Sequence, residues 1–281
     1  TQVEWADEDT LALLKDSAGK GDSPADKAQV WVYEGLVGEG WRVTEHKTGV
    51  EAFKPFAGGF LYLASDPERE EKKARKDKFG NFLHFEQEQS ASALYYTGLD
   101  EIRSYYARVR AATADEAKEF VIPVIELSKL FDQPLRIAGM VPSPRGEAVY
   151  LNCQLRDDLV YYRQSSVYCL QLDAKTALAE YLTRQQDKKA AEKKTGNAQP
   201  VEPSSAEKED FSYLGRLTRL NMPRLARVLA VSPDGSQLLI EHQGRDDKMY
   251  TLPELWVIDV QAALAAPDEA TFLAGMRNIS A

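Results

Sequence analysis

Short runs of alternating apolar and polar residues recur along this chain, and each follows a turn rich in Pro, Gly or Asp. A period of two predicts strands with one face in a core, because successive side chains of a strand point to opposite faces. The four turns are Trp5–Asp9, Phe53–Gly58, Val141–Gly146 and Val231–Gly235. Pro sets the first φ of a tight turn and Gly takes the left-handed position, so each turn predicts a hairpin.

A second set of strands, rich in aromatic residues, lies downstream of the hairpins and ends near an acidic residue. Its members are Gln29–Tyr33, Ala93–Tyr96, Ser166–Asp173 and Glu254–Val260. When the turns are aligned on Asp7, Pro55, Pro144 and Pro233, the intervals are 48, 89 and 89 residues. The first interval matches one propeller blade of roughly 40–50 residues.

The longer intervals are interpreted as single blades that carry insertions. Without the 39 residues of the polar stretch 174–212, the last interval shortens to 50 residues. The pattern therefore predicts an all-β protein, a partial β-propeller of about four blades, each a four-stranded antiparallel sheet, with helical or disordered insertions. The predicted blade segments are 1–48, 49–136, 137–222 and 223–281, and the insertions are 66–80 and 174–212. Two alternatives stay open: a β-sandwich whose hairpins share turn chemistry, and two degenerate blades in the middle interval.

The insertions differ in character. Asp66–Lys78 holds six basic and five acidic residues, so its near balance of charge favours a solvated arm. After Asp173, the apolar spacing predicts a helix that ends before Asp187, followed by a flexible segment to Glu209. Val260–Ala266 predicts a short helix or turn, and Thr271–Met276 the final strand.

Composition narrows the class of protein. The 281 residues are 43% hydrophobic with a net charge of −9 and a pI near 5.1, which indicates a globular chain and disfavours nucleic acid as a partner. No apolar run approaches the roughly 20 residues that span a bilayer, so no membrane partner is expected. Cys153 and Cys169 fall on two strands of one blade and are predicted to be free thiols.

Neither catalytic, cofactor-binding nor metal-binding residues are assigned from the sequence, and no cofactor is expected. The Gly-x-Ser-x-Gly elbow, the His-Glu-x-x-His helix and the phosphate-binding Gly-rich loops do not occur in this sequence. The three histidines, His46, His84 and His242, are scattered and are expected to be structural. Glu86 and Glu88 form a carboxylate pair that alternation places on one solvated face of a strand.

Three stretches carry a resemblance to a known family. They are Val231–Gly235 with Glu254–Val260, Arg42–Thr44 leading into Gly49–Phe53 with a second copy at Arg216–Thr218, and the charged insertion Ala64–Lys73. With these residues the chain resembles the non-catalytic β-propeller of the prolyl oligopeptidase family of serine peptidases, in its acylaminoacyl-peptidase and dipeptidyl-aminopeptidase-like branch. The insertion discriminates most, because propellers in general share the other two.

The resemblance implies a division of labour within a larger hydrolase. A separate C-terminal α/β-hydrolase domain would hold the catalytic triad, while this chain would gate access of peptide substrates and dock onto that domain. The expected channel-lining strands are Val3–Trp5, Val50–Phe53, Ile137–Val141 and Val228–Val231, which are mostly apolar. Because both ends fall within repeats, we expect the chain to be part of a longer propeller. A cytoplasmic location is expected separately, and open strand edges would favour homo-oligomers.

The alternative is a binding module. A propeller like that of the periplasmic TolB protein or of the tryptophan-aspartate repeat scaffolds would share the Pro-Asp-Gly turn and would act through protein interactions. A propeller enzyme with its own site lacks a convergent set of His and carboxylates in the sequence.

Overall fold

The computed structural model describes residues 2–15, 27–35, 38–65, 78, 92–117, 120–132, 135–154, 165–194, 210–242 and 252–280. It contains sixteen strands in these residues, grouped into four sheets of four. Apart from Lys78, the predicted insertion at 66–80 lies outside the described residues, as do residues 195–209 of the second insertion.

The first two sheets, blades 1 and 2, follow one another along the chain. Blade 1 consists of β1 (Val3–Trp5), β2 (Thr10–Lys15), β3 (Gln29–Glu34) and β4 (Trp41–Arg42). Blade 2 consists of β5 (Ala52–Phe56), β6 (Gly59–Ser65), β7 (Ser92–Gly98) and β8 (Ile125–Glu126).

Blades 3 and 4 repeat the plan. Blade 3 consists of β9 (Arg136–Pro142), β10 (Ala148–Gln154), β11 (Ser165–Gln171) and β12 (Arg216–Leu220). Blade 4 consists of β13 (Arg227–Val231), β14 (Gln237–His242), β15 (Glu254–Asp259) and β16 (Arg277–Asn278). In every blade the strands pair antiparallel in chain order, so each blade is a simple meander.

The first strand of each blade contacts the first strand of the next: β1 touches β5, β5 touches β9, and β9 touches β13. These four strands are the innermost strands of the blades. Four meander sheets joined in this way form part of a β-propeller, which confirms the predicted fold class.

The core consists of three apolar clusters, one between each pair of consecutive blades. Phe53 and Phe60 of blade 2 pack with Val30 and Val32 of blade 1, and all four side chains are fully buried. A second cluster joins blades 2 and 3 around Leu94 and Leu151, and a third joins blades 3 and 4 around Leu238 and Ile240. Full burial of one such side chain contributes about 1.5–3 kcal/mol, so contact between blades stabilises the fold.

Five α-helices of the described residues decorate the sheets, together with 3₁₀ turns at Leu127–Leu130 and Ser212–Leu214. The helices are α1 (Leu99–Ala111), α2 (Ala114–Ala117), α3 (Ala174–Lys194), α4 (Val260–Ala265) and α5 (Glu269–Gly275). The acidic residues at the ends of two aromatic strands have a structural role here, because they begin helices. The Asp259 side chain accepts a hydrogen bond from the Ala262 N–H at 2.9 Å, and Asp173 accepts one from the Thr176 N–H at 3.2 Å.

Two predictions for these segments were wrong. Thr271–Met276 is not the final strand, because Asp268 caps a helix there: its carboxylate accepts from the Thr271 N–H at 2.8 Å, and Phe272 is fully buried. The final strand is β16, which follows at once. The helix after Asp173 does not end before Asp187 but continues to Lys194, since Ala, Glu and Lys are strong helix formers.

Candidate functional site

A cleft opens at the face of the propeller where the hairpin turns between the first and second strands converge. Its volume is about 430 Å³, which falls in the range of small-ligand pockets, roughly 300–1,000 Å³. The turns of blades 1, 2 and 3 contribute Ala6 and Asp7, then Pro55–Phe60, then Pro142–Gly146, and Leu99 completes the lining.

The turns of blades 2 and 3 touch closely, and glycine permits this. Gly146 has φ +72, and a Cβ on it would lie 3.2 Å from the Cα of Ala57. Two hydrogen bonds hold the blade 2 turn from behind: the Tyr96 hydroxyl donates to the Ala57 carbonyl at 3.2 Å, and the Leu99 N–H donates to the Gly58 carbonyl at 3.1 Å. The cleft wall is therefore built from rigid backbone.

The hairpin turns of blades 3 and 4 share the same backbone hydrogen bond, so their side chains can be compared directly. Ser143 and Ser232 each donate their N–H across the turn, to Ala148 at 2.8 Å and to Gln237 at 2.9 Å. In blade 4, Asp234 completes the turn: the Ser232 hydroxyl donates to its carboxylate at 2.6 Å. This bond, with others from Ser236, lowers the pKa of Asp234 to about 2.

Blade 3 carries Arg145 where blade 4 carries Asp234, and the turn loses its acceptor. The Ser143 hydroxyl is shielded from solvent and has no hydrogen-bond partner among the described residues. Leaving such a group unpaired costs about 1–3 kcal/mol. The Arg145 side chain extends toward the blade 4 turn, with its Cδ and Nε 3.8 Å from the Cβ position of Gly235.

Asp7 supplies the carboxylate of the cleft. A hydrogen bond from the Thr10 side chain, together with one from the Asp9 N–H at 2.9 Å, lowers the pKa of Asp7. The carboxylate of Asp7 is thus hydrogen-bonded within its own turn.

At two places a side-chain amide from one blade binds both backbone groups of a residue on the first strand of the next blade. The Gln2 amide donates to the Phe53 carbonyl at 2.7 Å and accepts from the Phe53 N–H at 3.2 Å. Asn152 does the same for Val228, with both bonds at 2.9 Å. Beside the first clamp, Lys54 pairs with Glu4 at 2.5 Å. Burial alone would raise the pKa of Glu4, but hydrogen bonds from Lys54 and Gln2 bring it below its ordinary value.

The expected channel-lining strands overlap the innermost strands, although Val50 and Glu51 lie ahead of β5, and several of their side chains are buried. Phe53, Ile137 and Val228 are buried between blades, and Val50 is buried ahead of β5. Their exposed side chains mix apolar and basic character: Val3, Trp5, Arg136, Ala138, Arg227 and Leu229. The sequence interpretation missed the basic residues because they stand at the first positions of β9 and β13.

Both cysteines are free thiols, as predicted, and the structure gives the reason. They lie on opposite faces of blade 3: Cys153 packs into the cluster shared with blade 2, and Cys169 into the cluster shared with blade 4. Burial raises the pKa of Cys153 to about 12 and that of Cys169 to about 11, so both thiols are protonated at neutral pH.

The remaining residues considered from the sequence do not come together. His46 lies beside blade 1, with its Nδ1 2.9 Å from the Thr48 hydroxyl, and His242 is buried at the end of β14 in blade 4. His84, Glu86 and Glu88 lie outside the described residues. In the described part of the chain, no three His, Cys, Asp or Glu side chains are grouped as a metal site would require. No helix of the described ranges has the length and apolar character needed to cross a bilayer.

Comparison with known proteins adds one finding on the fold. No family model and no curated protein matches the chain. Among solved structures, the chain is similar to the β-propeller domain of the Trilobed protease from Pyrococcus furiosus, described as having an open velcro topology. The TM-score is 0.42 at 10% identity, over 91% of this chain and 52% of that chain. The chain thus spans about half the length of the solved chain, and the propeller assignment rests on the four sheets themselves.

Proposed function

We propose that this chain is the non-catalytic β-propeller portion of a serine oligopeptidase, where it admits peptides and docks onto an α/β-hydrolase domain. The proposal starts from the stretches that resemble the prolyl oligopeptidase family, Val231–Gly235 with Glu254–Val260 and the charged insertion Ala64–Lys73. The first stretch forms the turn of the inner hairpin and the third strand of blade 4, with Val260 beginning the helix that follows. The insertion lies, beyond Ser65, outside the described residues.

The observation that carries the peptide-binding role is the cleft among the inner hairpin turns. Prolines and aromatic rings line it beside two charged residues, Asp7 and Arg145, and its volume of about 430 Å³ suits a few residues of extended peptide better than a folded surface. A rigid wall of touching turns supports selection by size, because a folded protein would have to unfold locally to reach into the cleft.

One experiment tests the selection by size. A fluorescein-labelled tetrapeptide and a small folded protein that displays the same four residues in a loop are titrated with the chain, and fluorescence anisotropy is recorded. The proposal predicts saturable binding of the free peptide and at least about tenfold weaker binding of the folded display. Equal affinity for both would contradict gating.

A protein-interaction module is the second candidate, favoured by a separate surface. On the face of blade 1 that points away from blade 2, cross-strand pairs bring together Trp5, Leu11 and Tyr33, and beside them Val3, Leu13 and Trp31. Val3 and Trp5 are 53% and 56% exposed. Exposed apolar patches of this kind mark contact sites. The same titration separates the candidates, since a module that acts through this face is expected to show no preference for the free tetrapeptide over the folded display.

A further inference from the structure

The hairpin turns of blades 3 and 4 differ in whether their serine hydroxyl has a hydrogen-bond partner. Ser-Pro-Asp-Gly in blade 4 satisfies its own serine hydroxyl through Asp234, whereas Ser-Pro-Arg-Gly in blade 3 leaves the Ser143 hydroxyl without a partner among the described residues. The exchange of Asp for Arg therefore gives up a hydrogen bond that the same backbone could make. Departures from local consistency of this kind concentrate at functional sites.

The charge of Arg145 is also not paired with a carboxylate of the described residues. It lines the cleft and makes no salt bridge with any residue of the described ranges, while Asp7, the carboxylate in the lining, is engaged by its own turn. In contrast, Arg227 on β13 is held by both carboxylate oxygens of Glu241, at 2.9 and 3.0 Å. The Arg145 side chain is exposed, with its Cδ and Nε 3.8 Å from the Cβ position of Gly235 in the blade 4 turn. Its guanidinium is a planar fork of donors that matches a carboxylate.

We infer that Arg145 is the anchor of a carboxylate-binding site, and that the cleft takes an extended peptide by a C-terminal carboxylate or an acidic side chain. The apolar lining accommodates neighbouring residues of the peptide, and the arginine fixes its register. This inference rests on the proposed peptide-binding function and deepens it by naming the chemical class that the cleft selects.

Four N-terminally labelled tetrapeptides test the inference by fluorescence anisotropy. The first ends in a free carboxylate, the second is its C-terminal amide, the third is an amide with one internal Glu, and the fourth carries Gln in place of that Glu. The wild-type chain is expected to bind the first or third peptide, or both, at least about tenfold more tightly than the matched neutral peptide. Preference for the first identifies a terminal carboxylate as the source, and preference for the third an acidic side chain.

Two variants of the anchor and one control complete the design. R145D recreates the turn of blade 4, so it is expected to fold at least as stably as the wild type, and R145Q removes the charge without adding a carboxylate. R224D makes the same change of charge in the exposed loop between β12 and β13, which the meander places at the opposite face of the propeller. Thermal unfolding followed by circular dichroism checks that all three variants fold.

We expect R145D and R145Q to lose at least about tenfold in affinity for the acidic peptides, and R224D to stay within about twofold of the wild type. If R145Q binds all four peptides as the wild type does, or the wild type does not distinguish acids from amides, the carboxylate site is refuted and peptide binding stands. If the wild type binds none of the four, both the site and the proposed function are refuted.

Discussion

The clamp that Asn152 makes on Val228 gives the sharpest stability prediction. Asn152 lies on β10 of blade 3, and its amide group satisfies both backbone groups of Val228 on β13 of blade 4. Val228 is 1% exposed, so water does not replace the lost partners easily. Each buried backbone group left unpaired costs about 1–3 kcal/mol, and N152A is therefore expected to lower the free energy of unfolding by about 2–4 kcal/mol.

Urea unfolding followed by tryptophan fluorescence measures this loss. Trp256 packs against the cluster between blades 3 and 4, so its emission reports on the interface that the clamp closes. The matched control is N221A, which removes one bond at 3.0 Å, from Asn221 to the Ala266 carbonyl, and is expected to cost about 0.5–1.5 kcal/mol. The midpoint should shift with little change in slope. A loss for N152A no greater than that for N221A would show that the clamp adds nothing to the stability of the interface between blades 3 and 4.

Three further predictions concern titration, thiols and association. Because the pKa of Asp234 falls from 3.8 to about 2 on folding, its contribution to stability is fully present above pH 3.8 and is lost as pH falls through 2. In thermal unfolding, D234A should be less stable than the wild type at pH 7, and the difference should shrink as the pH is lowered to 2; a difference as large at pH 2 as at pH 7 would contradict this. Cys153 and Cys169 should resist a thiol reagent such as dithionitrobenzoate until urea unfolds the chain, and rapid labelling in buffer would show that the blade 3 faces open. We expect the chain to self-associate in sedimentation velocity and W5E to shift it toward monomer, because Trp5 is exposed on an innermost strand; identical distributions for both would count against that face.

The hairpins were predictable because their turn chemistry is local. Pro and Gly at Pro144–Gly146 and Pro233–Gly235 fix the turn, and alternation then fixes the flanking strands, which the structure has as β9 with β10 and β13 with β14. Repetition of this unit along the chain carried the prediction from single hairpins to blades.

The helices were harder to predict, because their signals lie beside strong strand signals. Helix α1 begins at Leu99 directly after β7, and its N-cap Gly98 offers no side chain to mark the start. Its buried residues Leu99, Ile102 and Tyr105 follow a three-residue spacing that indicates a helix, yet the alternation of β7 runs into it. For α5, the capping pattern of Asp268 with Thr271 was the informative signal, and the apolar run after it resembled a strand.

Part of the candidate site was visible in the sequence as a contrast between two repeats. Ser143-Pro144-Arg145-Gly146 differs from the blade 4 turn at one central position, and the difference in charge is readable without a structure. What the sequence does not hold is the convergence of three turns on one cleft, since the contact of Gly146 with Ala57 joins residues from different blades. The amide clamps of Gln2 and Asn152 are long-range in the same way.

A hydrolysis assay tests the proposal that this chain is the non-catalytic part of a peptidase. The 281-residue chain and the protein translated from the complete reading frame are assayed on chromogenic acyl-amino-acid substrates at equal concentration. We expect no turnover by the chain and measurable turnover by the complete protein. Turnover by the chain itself, or a complete protein that contains no hydrolase activity, would contradict it.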